Sequence, residues 1–370
     1  MASIRNLLAR GQSIWLDYVD RSLLTGGGLE RLVDEGLRGV TSNPTIFHQA
    51  ITGSRDYDDA ILDLIQADHD VTAETLYEWL AIQDIQMAAD ILRPVYDATE
   101  KVDGFVSLEV SPHLAHNTAG TIDQARHLWK SVHRDNLMIK VPGTAAGLEA
   151  IEALIAEGIN VNVTLLFSVP RYEAVFEAFV RGLAQNDHPR DVASVASFFI
   201  SRIDGVIDSN LDEVGTPEAR ALRSRAAIAN ARLAYRAFGA LRQGEAFRAQ
   251  AQRGARVQRP LWASTSTKDP NLSDVYYIEA LIGPDTVNTI PPKTLDAMIE
   301  HGSDHPHLAE EIDDADRVMK GIQQQGVSID AVAAHLEADG VHKFVTSHDA
   351  LISDLEAKIA EVTQRYAVES

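Results

Sequence analysis

Short runs of β-branched and apolar residues alternate along the chain with longer stretches that have a helical period. The apolar runs predict eight strands, at residues 14–17, 39–42, 104–110, 137–141, 159–165, 192–199, 260–264 and 286–290. Eight strands, each followed by a helical crossover, are typical of an α/β fold in which the sheet closes on itself. The pattern therefore predicts a parallel (β/α)₈ TIM barrel.

Capping signals mark where several of the predicted helices begin and end. Thr72 precedes a run of apolar residues at near-helical spacing, and Thr216 is followed by proline and glutamate. These residues predict two helix starts, because a threonine side chain can cap the first turn and proline fits its first position. Gly158 predicts the end of the helix that follows the fourth strand.

The last part of the chain reads as helical. Residues 328–339 and 347–366 predict two amphipathic helices, each starting at a capping serine. We interpret residues 1–370 as a single barrel domain, with 291–370 as a helical C-terminal extension packed on it. The competing architecture is an open doubly wound sheet, but no GxGxxG follows an early strand.

Composition restricts the classes of partner. The chain has 33 basic and 54 acidic side chains, which gives a net charge of −21. Such a surface repels nucleic acid and anionic lipid, so we expect neither as a partner. It also repels a phosphorylated metabolite unless cations are concentrated at one site.

The absence of cysteine excludes disulfides, thiolate metal sites and a cysteine nucleophile, and it suits a cytoplasmic protein. The N-terminal sequence MASIRNLLARGQSIWLDYVD has no apolar core of the kind found in signal peptides. No apolar run approaches the roughly 20 residues of a membrane helix. We therefore expect a cytoplasmic location and no membrane partner.

Polar and charged residues recur where the predicted strands end. In a (β/α)₈ barrel the active site lies at the carboxyl ends of the strands. One amine, two carboxylates, two cations and several hydroxyl and amide groups there suit imine chemistry on a phosphorylated carbonyl compound. The candidates are Asp17, Asn43, Glu109, Lys140, Asn162, Thr164, Ser197, Arg202, Ser264 and Lys268.

Each candidate also has an ordinary structural interpretation. Asp17 alone could cap a helix, and Asn43 precedes a proline, which is first of all a turn signal. Glu109 lies between two apolar residues and needs a cation nearby. Arg202 and Lys268 could be surface cations.

Lys140 directly follows Leu137, Met138 and Ile139 in a run that predicts a buried strand. A lysine there loses hydration unless it is paired, opens into a cavity or is kept neutral for chemistry. An ion-paired lysine at a strand end is the ordinary alternative.

Seven segments together resemble the transaldolases, in the long form common in actinobacteria, and the resemblance extends from the first strand to the eighth. They are WLDYVD, GVTSNPTIF, VSLEVSP, LMIKVPGT, GINVNVTLLFS, SFFISRID and WASTSTKDP. The resemblance implies a (β/α)₈ barrel that transfers a dihydroxyacetone unit in the non-oxidative pentose phosphate pathway. The donor would be sedoheptulose 7-phosphate or fructose 6-phosphate, and the acceptor glyceraldehyde 3-phosphate or erythrose 4-phosphate.

The resemblance also implies the catalytic roles. Lys140 is the Schiff-base lysine, and Asp17 is the acid/base at the C4 hydroxyl of the donor. Glu109 and Thr164 hold the water used to form and dehydrate the carbinolamine. An apolar barrel interior disfavours the ammonium form of Lys140 and so favours the neutral amine that attacks a ketose carbonyl.

The remaining matched residues are implied to bind the substrate. Asn43 and Asn162 hydrogen-bond the dihydroxyacetone hydroxyls, with Ser197 beside them. Phe199 shapes the pocket and Arg202 belongs to the phosphate site.

The seventh strand departs from the family pattern. Many members have an arginine soon after a serine there, whereas this chain has Ser264 followed by Thr265, Ser266, Thr267 and Lys268. We assign Ser264 and Lys268 to the phosphate site.

No cofactor and no metal are predicted, because the iminium itself serves as the electron sink. His305 and His307 lie in an apparent tail loop and are predicted to be solvated.

The sequence is also compatible with two other functions. One is another Schiff-base aldolase that releases its product, of the fructose-6-phosphate or deoxyribose-phosphate type. The other is a catalytically silent phosphosugar-binding barrel, against which Lys140, Asp17 and Glu109 together argue. We expect a monomer or a homodimer.

Overall fold

A closed parallel barrel forms the centre of the molecule. The computed structural model describes residues 3–68, 70–310 and 312–369, and in that part of the chain eight strands pair in sequence order, with the eighth returning to the first. They are β1 Gln12–Leu16, β2 Gly39–Thr41, β3 Phe105–Glu109, β4 Leu137–Pro142, β5 Val161–Leu166, β6 Ser194–Phe199, β7 Arg259–Ala263 and β8 Thr286–Ile290. The predicted (β/α)₈ barrel is confirmed.

Helices surround the barrel and continue after it. Those up to β5 are α1 Ile4–Ala9, α2 Arg21–Thr25, α3 Gly28–Glu35, α4 Pro44–Gly53, α5 Asp58–Ala67, α6 Ala73–Ala98, α7 Thr118–Val132 and α8 Ala145–Ala156. Those between β5 and β8 are α9 Val169–Gln185, α10 Ser201–Val214, α11 Pro217–Arg220, α12 Ala226–Leu241, α13 Glu245–Gln252 and α14 Tyr276–Ala280. After β8 come α15 Pro292–His301, α16 Ile312–Gln324 and α17 Ile329–Glu369. No helix within the described residues is both long enough and apolar enough to span a membrane.

All eight predicted strands are present, and their ends differ from the prediction by no more than a few residues. Asp17 lies just beyond β1, where its N–H donates to the carbonyl of Ile290 at 3.0 Å. Gly104 lies just before β3 with a φ of +83°, a conformation that favours glycine, so it forms the turn into the strand.

Strand register brings polar residues side by side. Glu109 on β3 pairs with Lys140 on β4, and Lys140 pairs with Asn162 on β5. Side chains of directly paired residues on parallel strands point to the same face of the sheet. Three residues from distant parts of the sequence therefore meet at one level of the barrel.

The helix boundaries predicted from Thr72, Thr216 and Gly158 are confirmed. The hydroxyl of Thr72 accepts from the N–H of Thr75 at 3.2 Å, at the start of α6. Thr216 caps α11 in the same way, at 3.1 Å from the nitrogen of Ala219. Gly158 follows α8 with a φ of +85°.

The C-terminal helices differ from the prediction in one respect. The two helices expected at 328–339 and 347–366 form one continuous helix, α17. Ser328 does cap its start, with its hydroxyl 3.3 Å from the nitrogen of Ala331. Ser347 is not a cap; it lies inside the helix and accepts a hydrogen bond from Thr45 at 3.0 Å. The intervening residues contain no proline, and burial of Val341 and Phe344 there favours continuing the helix.

Helix α17 is held on the barrel by contacts along its length. Arg171 lies 3.3 Å from Glu337 near its start. Lys358 donates to the carbonyl of Ile51 at 2.7 Å and lies 3.2 Å from Asp58 near its end. These contacts lay the helix across one end of the barrel.

Candidate active site

The amine of Lys140 is paired with the carboxylate of Glu109. Its Nζ lies 3.2 Å from Glu109 Oε2, and the two side chains are 7% and 3% exposed. Nζ also donates to the carbonyl of Ser42 at 2.9 Å. The predicted need of Glu109 for a nearby cation is thus met, and by the residue that the resemblance makes the nucleophile.

Burial raises the pKa of Glu109, and the positive charge of Lys140 opposes that shift. No described residue donates an aligned hydrogen bond to either carboxylate oxygen, so both can accept from a ligand. Glu109 lines a neighbouring cavity of about 160 Å³, together with Tyr77 and His348, and not the pocket that Lys140 lines. A carboxylate with a raised pKa is a stronger base than an ordinary glutamate.

Asp17 lies on the wall of the pocket, directly after β1. Thr41 donates to its Oδ1 at 2.7 Å, and Thr41 in turn lies 2.6 Å from the hydroxyl of Thr289. Burial raises the pKa of Asp17, while Lys140, Thr41 and Arg202 oppose the shift. The carboxyl group is therefore oriented by one hydroxyl and tuned toward proton transfer nearer neutral pH.

A chain of hydrogen bonds orients the amide beside the lysine. Ser197 donates to Asn162 Oδ1 at 2.7 Å, and Asn162 Nδ2 donates to Ser107 at 3.0 Å. Asn162 is fully buried and lies beside Lys140 in the strand register rather than in the pocket wall. The two serines therefore fix the positions of the oxygen and the nitrogen of the Asn162 amide.

Asn43 caps a helix, whereas its position before Pro44 had suggested a turn, and it also lies at the predicted site. Its Oδ1 accepts from the N–H of Ile46 at 3.0 Å and so caps α4, which begins at Pro44. The same side chain lines the pocket. Capping occupies the oxygen and leaves the amide nitrogen to donate to a ligand.

The pocket itself has a volume of about 130 Å³ and opens at the carboxyl ends of the strands. Most of the predicted residues line it: Asp17, Asn43, Lys140, Thr164, Ser197, Phe199, Arg202 and Ser264. The hydroxyl of Thr164 is buried and has no hydrogen-bond partner among the described residues. It is therefore free to bind a water or a substrate hydroxyl.

Arg202 lies in the first turn of α10, with its guanidinium 5.1 Å from the centre of the Phe199 ring. Its Nη1 is buried and donates to no described residue. Ser264 and Ser266 line the pocket as well, and Ser264 lies 3.0 Å from the hydroxyl of Ser201. A helix N-terminus, an unpaired guanidinium and hydroxyl groups are well suited to bind a phosphate.

Backbone strain occurs at two strand ends beside the pocket. Leu165 in β5 has a φ of +63°, next to a register shift between β5 and β6, and Ser264 has a φ of +57°. Such conformations cost about 1–3 kcal/mol for residues other than glycine and are found preferentially at functional sites.

Lys268 is not brought to the pocket. Its side chain is exposed, and it is not one of the residues that line the cavity.

Six further residues line the pocket and were not predicted from the sequence: Thr41, Ala263, Ser266, Thr289, Pro291 and Phe344. Thr41 and Thr289 lie at the ends of β2 and β8, so the strand-end rule could have found them. Phe344 lies far along α17, and nothing in its local sequence marks it.

Two groups of side chains among the described residues have donor atoms close enough to hold a metal ion, within 4.8 Å of one another. They are His113, His348 and Asp349, and His305, His307 and Glu310. Neither group lines the Lys140 pocket. His305 and His307 are exposed to solvent to a large extent, but each lies within 3.2 Å of a Glu310 carboxylate oxygen.

Comparisons with known proteins agree with this geometry. The model of the transaldolase/fructose-6-phosphate aldolase family matches residues 14–355. A transaldolase of Thiobacillus denitrificans is 47% identical over 350 residues, covering 93% of this chain and 97% of its own. Transaldolases of two actinobacteria, an Arthrobacter species and Thermobifida fusca, are 48% and 46% identical and cover 95% and 97% of this chain, and 95% and 99% of their own. The chain therefore belongs to the transaldolase/fructose-6-phosphate aldolase family, and the relatives named here are transaldolases, which are transferases.

Proposed function

We propose that the protein transfers a dihydroxyacetone unit from a ketose phosphate to an aldose phosphate through a Schiff base on Lys140. The observation that supports this most is the buried contact between Glu109 and Lys140, because Lys140 lines a pocket together with Asp17 and Arg202. The donors are sedoheptulose 7-phosphate or fructose 6-phosphate, and the acceptors are glyceraldehyde 3-phosphate or erythrose 4-phosphate.

The first step is formation of the imine. Glu109, whose pKa is raised by burial, accepts a proton from the ammonium of Lys140 and leaves a neutral amine. The amine attacks C2 of the ketose to give a carbinolamine. Protonation of the carbinolamine hydroxyl and loss of water then give the iminium, with Glu109 and Thr164 holding the water.

The second step breaks the C3–C4 bond. Asp17 accepts the proton of the C4 hydroxyl, which becomes the aldehyde of the departing aldose phosphate. The electron pair of the broken bond moves into the iminium and gives an enamine of three carbons on Lys140. An acceptor aldehyde is then attacked by the enamine carbon, Asp17 returns the proton, and hydrolysis releases the new ketose.

The rest of the pocket positions the substrate. Asn43, Asn162 and Ser197 bind the hydroxyls of the dihydroxyacetone portion. Phe199 shapes the wall, and Arg202 binds the phosphate with the help of Ser264.

Lys268 is proposed as a second, outer cation of the phosphate site.

The proposed reaction requires no cofactor and no metal. We also propose a cytoplasmic location, where sugar phosphates are found, and a monomer or homodimer.

A borohydride experiment tests the proposal. The protein is incubated with fructose 6-phosphate, reduced with borohydride and digested, and the peptides are analysed by mass spectrometry. We expect a three-carbon adduct on Lys140. An adduct on Lys130, which is exposed, or on another lysine would contradict the assigned mechanism.

A fructose-6-phosphate aldolase activity is the second candidate, because the matching family model includes such enzymes. It is distinguished by a coupled assay with and without erythrose 4-phosphate. A transferase needs the acceptor for turnover, whereas an aldolase releases dihydroxyacetone without it.

A further inference from the structure

Helix α17 places an aromatic ring over the candidate nucleophile. Phe344 is only 6% exposed, it lines the pocket, and the centre of its ring lies 6.0 Å from Lys140 Nζ. The chain reaches this position about 200 residues after Lys140, so the contact depends entirely on how α17 packs on the barrel.

The surrounding contacts fix that position on both sides of Phe344. One turn earlier, a Cβ at Gly340 would lie 3.0 Å from Leu165 Cδ2, so glycine allows the helix to lie directly on the end of β5. One turn later, the ring of His348 packs against Tyr77 at 5.8 Å. Residues 340, 344 and 348 lie on one face of the helix because they are four residues apart. Phe344 is thus held over the pocket.

The role of the Phe344 ring concerns the three-carbon enamine on Lys140, and it rests on the proposed Schiff-base function. Once the aldose phosphate has left, the enamine on Lys140 has to persist until an acceptor arrives. If C3 of the enamine takes a proton, the resulting iminium can be attacked at C2 by water. The C–N bond then breaks, the amine leaves with a proton, and dihydroxyacetone is released without any change of oxidation state.

We propose that Phe344 determines specificity for transfer over release, by covering the Lys140 adduct and keeping bulk water from it. Most side chains that line the pocket, including Asp17, Asn43 and Thr164, are polar and can form hydrogen bonds with water. The buried ring of Phe344 supplies an apolar cover next to the reacting nitrogen. Exclusion of water from a closed site suppresses hydrolysis of reactive intermediates.

The test compares Phe344→Ala and Phe344→Leu with the wild-type protein. Two rates are measured with fructose 6-phosphate: release of dihydroxyacetone without acceptor, and transfer to erythrose 4-phosphate. We expect the ratio of release to transfer to rise on the order of tenfold in Phe344→Ala, and less in Phe344→Leu, which keeps an apolar cover. Phe344→Leu also keeps the test valid if the alanine variant unfolds, because the substitution changes the core volume less.

Val345→Ala is the matched control. Val345 is the next residue on α17, is partly buried and does not line the pocket. If this turn of α17 had only a structural role, Phe344→Ala and Val345→Ala would change the ratio of release to transfer alike. An equal rise of that ratio in Val345→Ala would therefore overturn the inference. So would a wild-type ratio in the Phe344 variants.

Borohydride labelling separates failure of the inference from failure of the proposed function. If Phe344→Ala is still labelled on Lys140 but keeps the wild-type ratio, the Schiff base stands and the role of Phe344 is wrong. If the wild-type protein itself is not labelled on Lys140, the proposed function fails and the inference fails with it.

Discussion

Lys140 Nζ and Glu109 Oε2 lie 3.2 Å apart inside the barrel, and both side chains are almost fully buried. The register of β3 and β4 puts the two residues directly opposite one another. Burying two charges is costly, and their attraction offsets that cost only while both are present. Removal of either partner therefore leaves an uncompensated buried charge.

Removal of the amine should make stability depend on pH. In Lys140→Met the carboxylate of Glu109 loses its partner, and we expect a loss of about 3–5 kcal/mol in the free energy of unfolding at neutral pH. Burial raises the pKa of Glu109. The stability of the variant should thus be greatest at low pH, where the carboxyl is protonated, and fall as pH rises through the folded-state pKa. Denaturant unfolding of the variant at pH 5 and pH 8 measures this.

The double variant Lys140→Met with Glu109→Gln is the control. It carries no charge at either position, so the additional pH dependence should disappear. If the single variant shows the same pH dependence as the double variant, Glu109 is not the titrating group.

Asp17→Asn should separate imine formation from bond cleavage. Lys140 is intact in this variant, so borohydride labelling with dihydroxyacetone should persist. Transfer should slow by about 10² to 10⁴, the usual contribution of a general acid or base. Transfer at the wild-type rate would remove Asp17 from the mechanism.

Arg202→Ala should weaken binding of the phosphate. A hydrogen bond to a charged group contributes roughly 1.5–3 kcal/mol, so KM for fructose 6-phosphate should rise about ten- to hundredfold. Labelling by unphosphorylated dihydroxyacetone should be nearly unchanged, because that ligand has no phosphate to lose. A wild-type KM in this variant would place the phosphate elsewhere.

Lys268→Ala tests the residue that the structure leaves outside the pocket wall. Its ammonium is exposed and would act as a screened point charge, so we expect a smaller rise in KM than for Arg202→Ala. Titration with salt should reduce the difference from the wild type. If KM does not change at all, Lys268 does not belong to the phosphate site, and Arg202 with Ser264 and Ser266 must bind the phosphate.

Asp204 gives a prediction about pH and stability away from the pocket. Burial raises its pKa to about 6, although the N–H of Ala227 and the hydroxyl of Tyr277 donate to it at 2.7 and 2.9 Å. The unfolded-state pKa is about 3.9, so folding favours the protonated form. The resulting contribution is fully present below about pH 4 and is lost as pH rises through about 6.

The wild-type protein should therefore lose about 2 kcal/mol of unfolding free energy relative to Asp204→Asn between pH 4 and pH 7. Chemical denaturation of both proteins across this range gives the difference. A constant difference would mean that Asp204 does not change its protonation there.

The sequence by itself determined the barrel and the types of side chain at the carboxyl ends of its strands. Apolar runs and caps such as Thr72 and Thr216 depend on interactions within a few residues, so they are readable locally. Eight such runs separated by helices leave few ways to bury every strand, and closure of the sheet follows. Closure then brings the strand ends together, which is why Asp17 and Lys140 could be placed at one site before any contact was known.

Only the tertiary structure decided which parts of the chain lie over the ends of the strands and which side chains stay outside the pocket. The continuity of α17 through Ser347, the place of Phe344 over Lys140 and the exposure of Lys268 depend on packing between segments far apart in the chain. A sequence does not distinguish a serine that caps the start of a helix from a serine such as Ser347, which lies inside a helix and accepts a hydrogen bond from Thr45. The local pattern of apolar and polar residues shows where helices and strands occur along the chain. The position of one helix against another depends on how the two surfaces fit when they pack together.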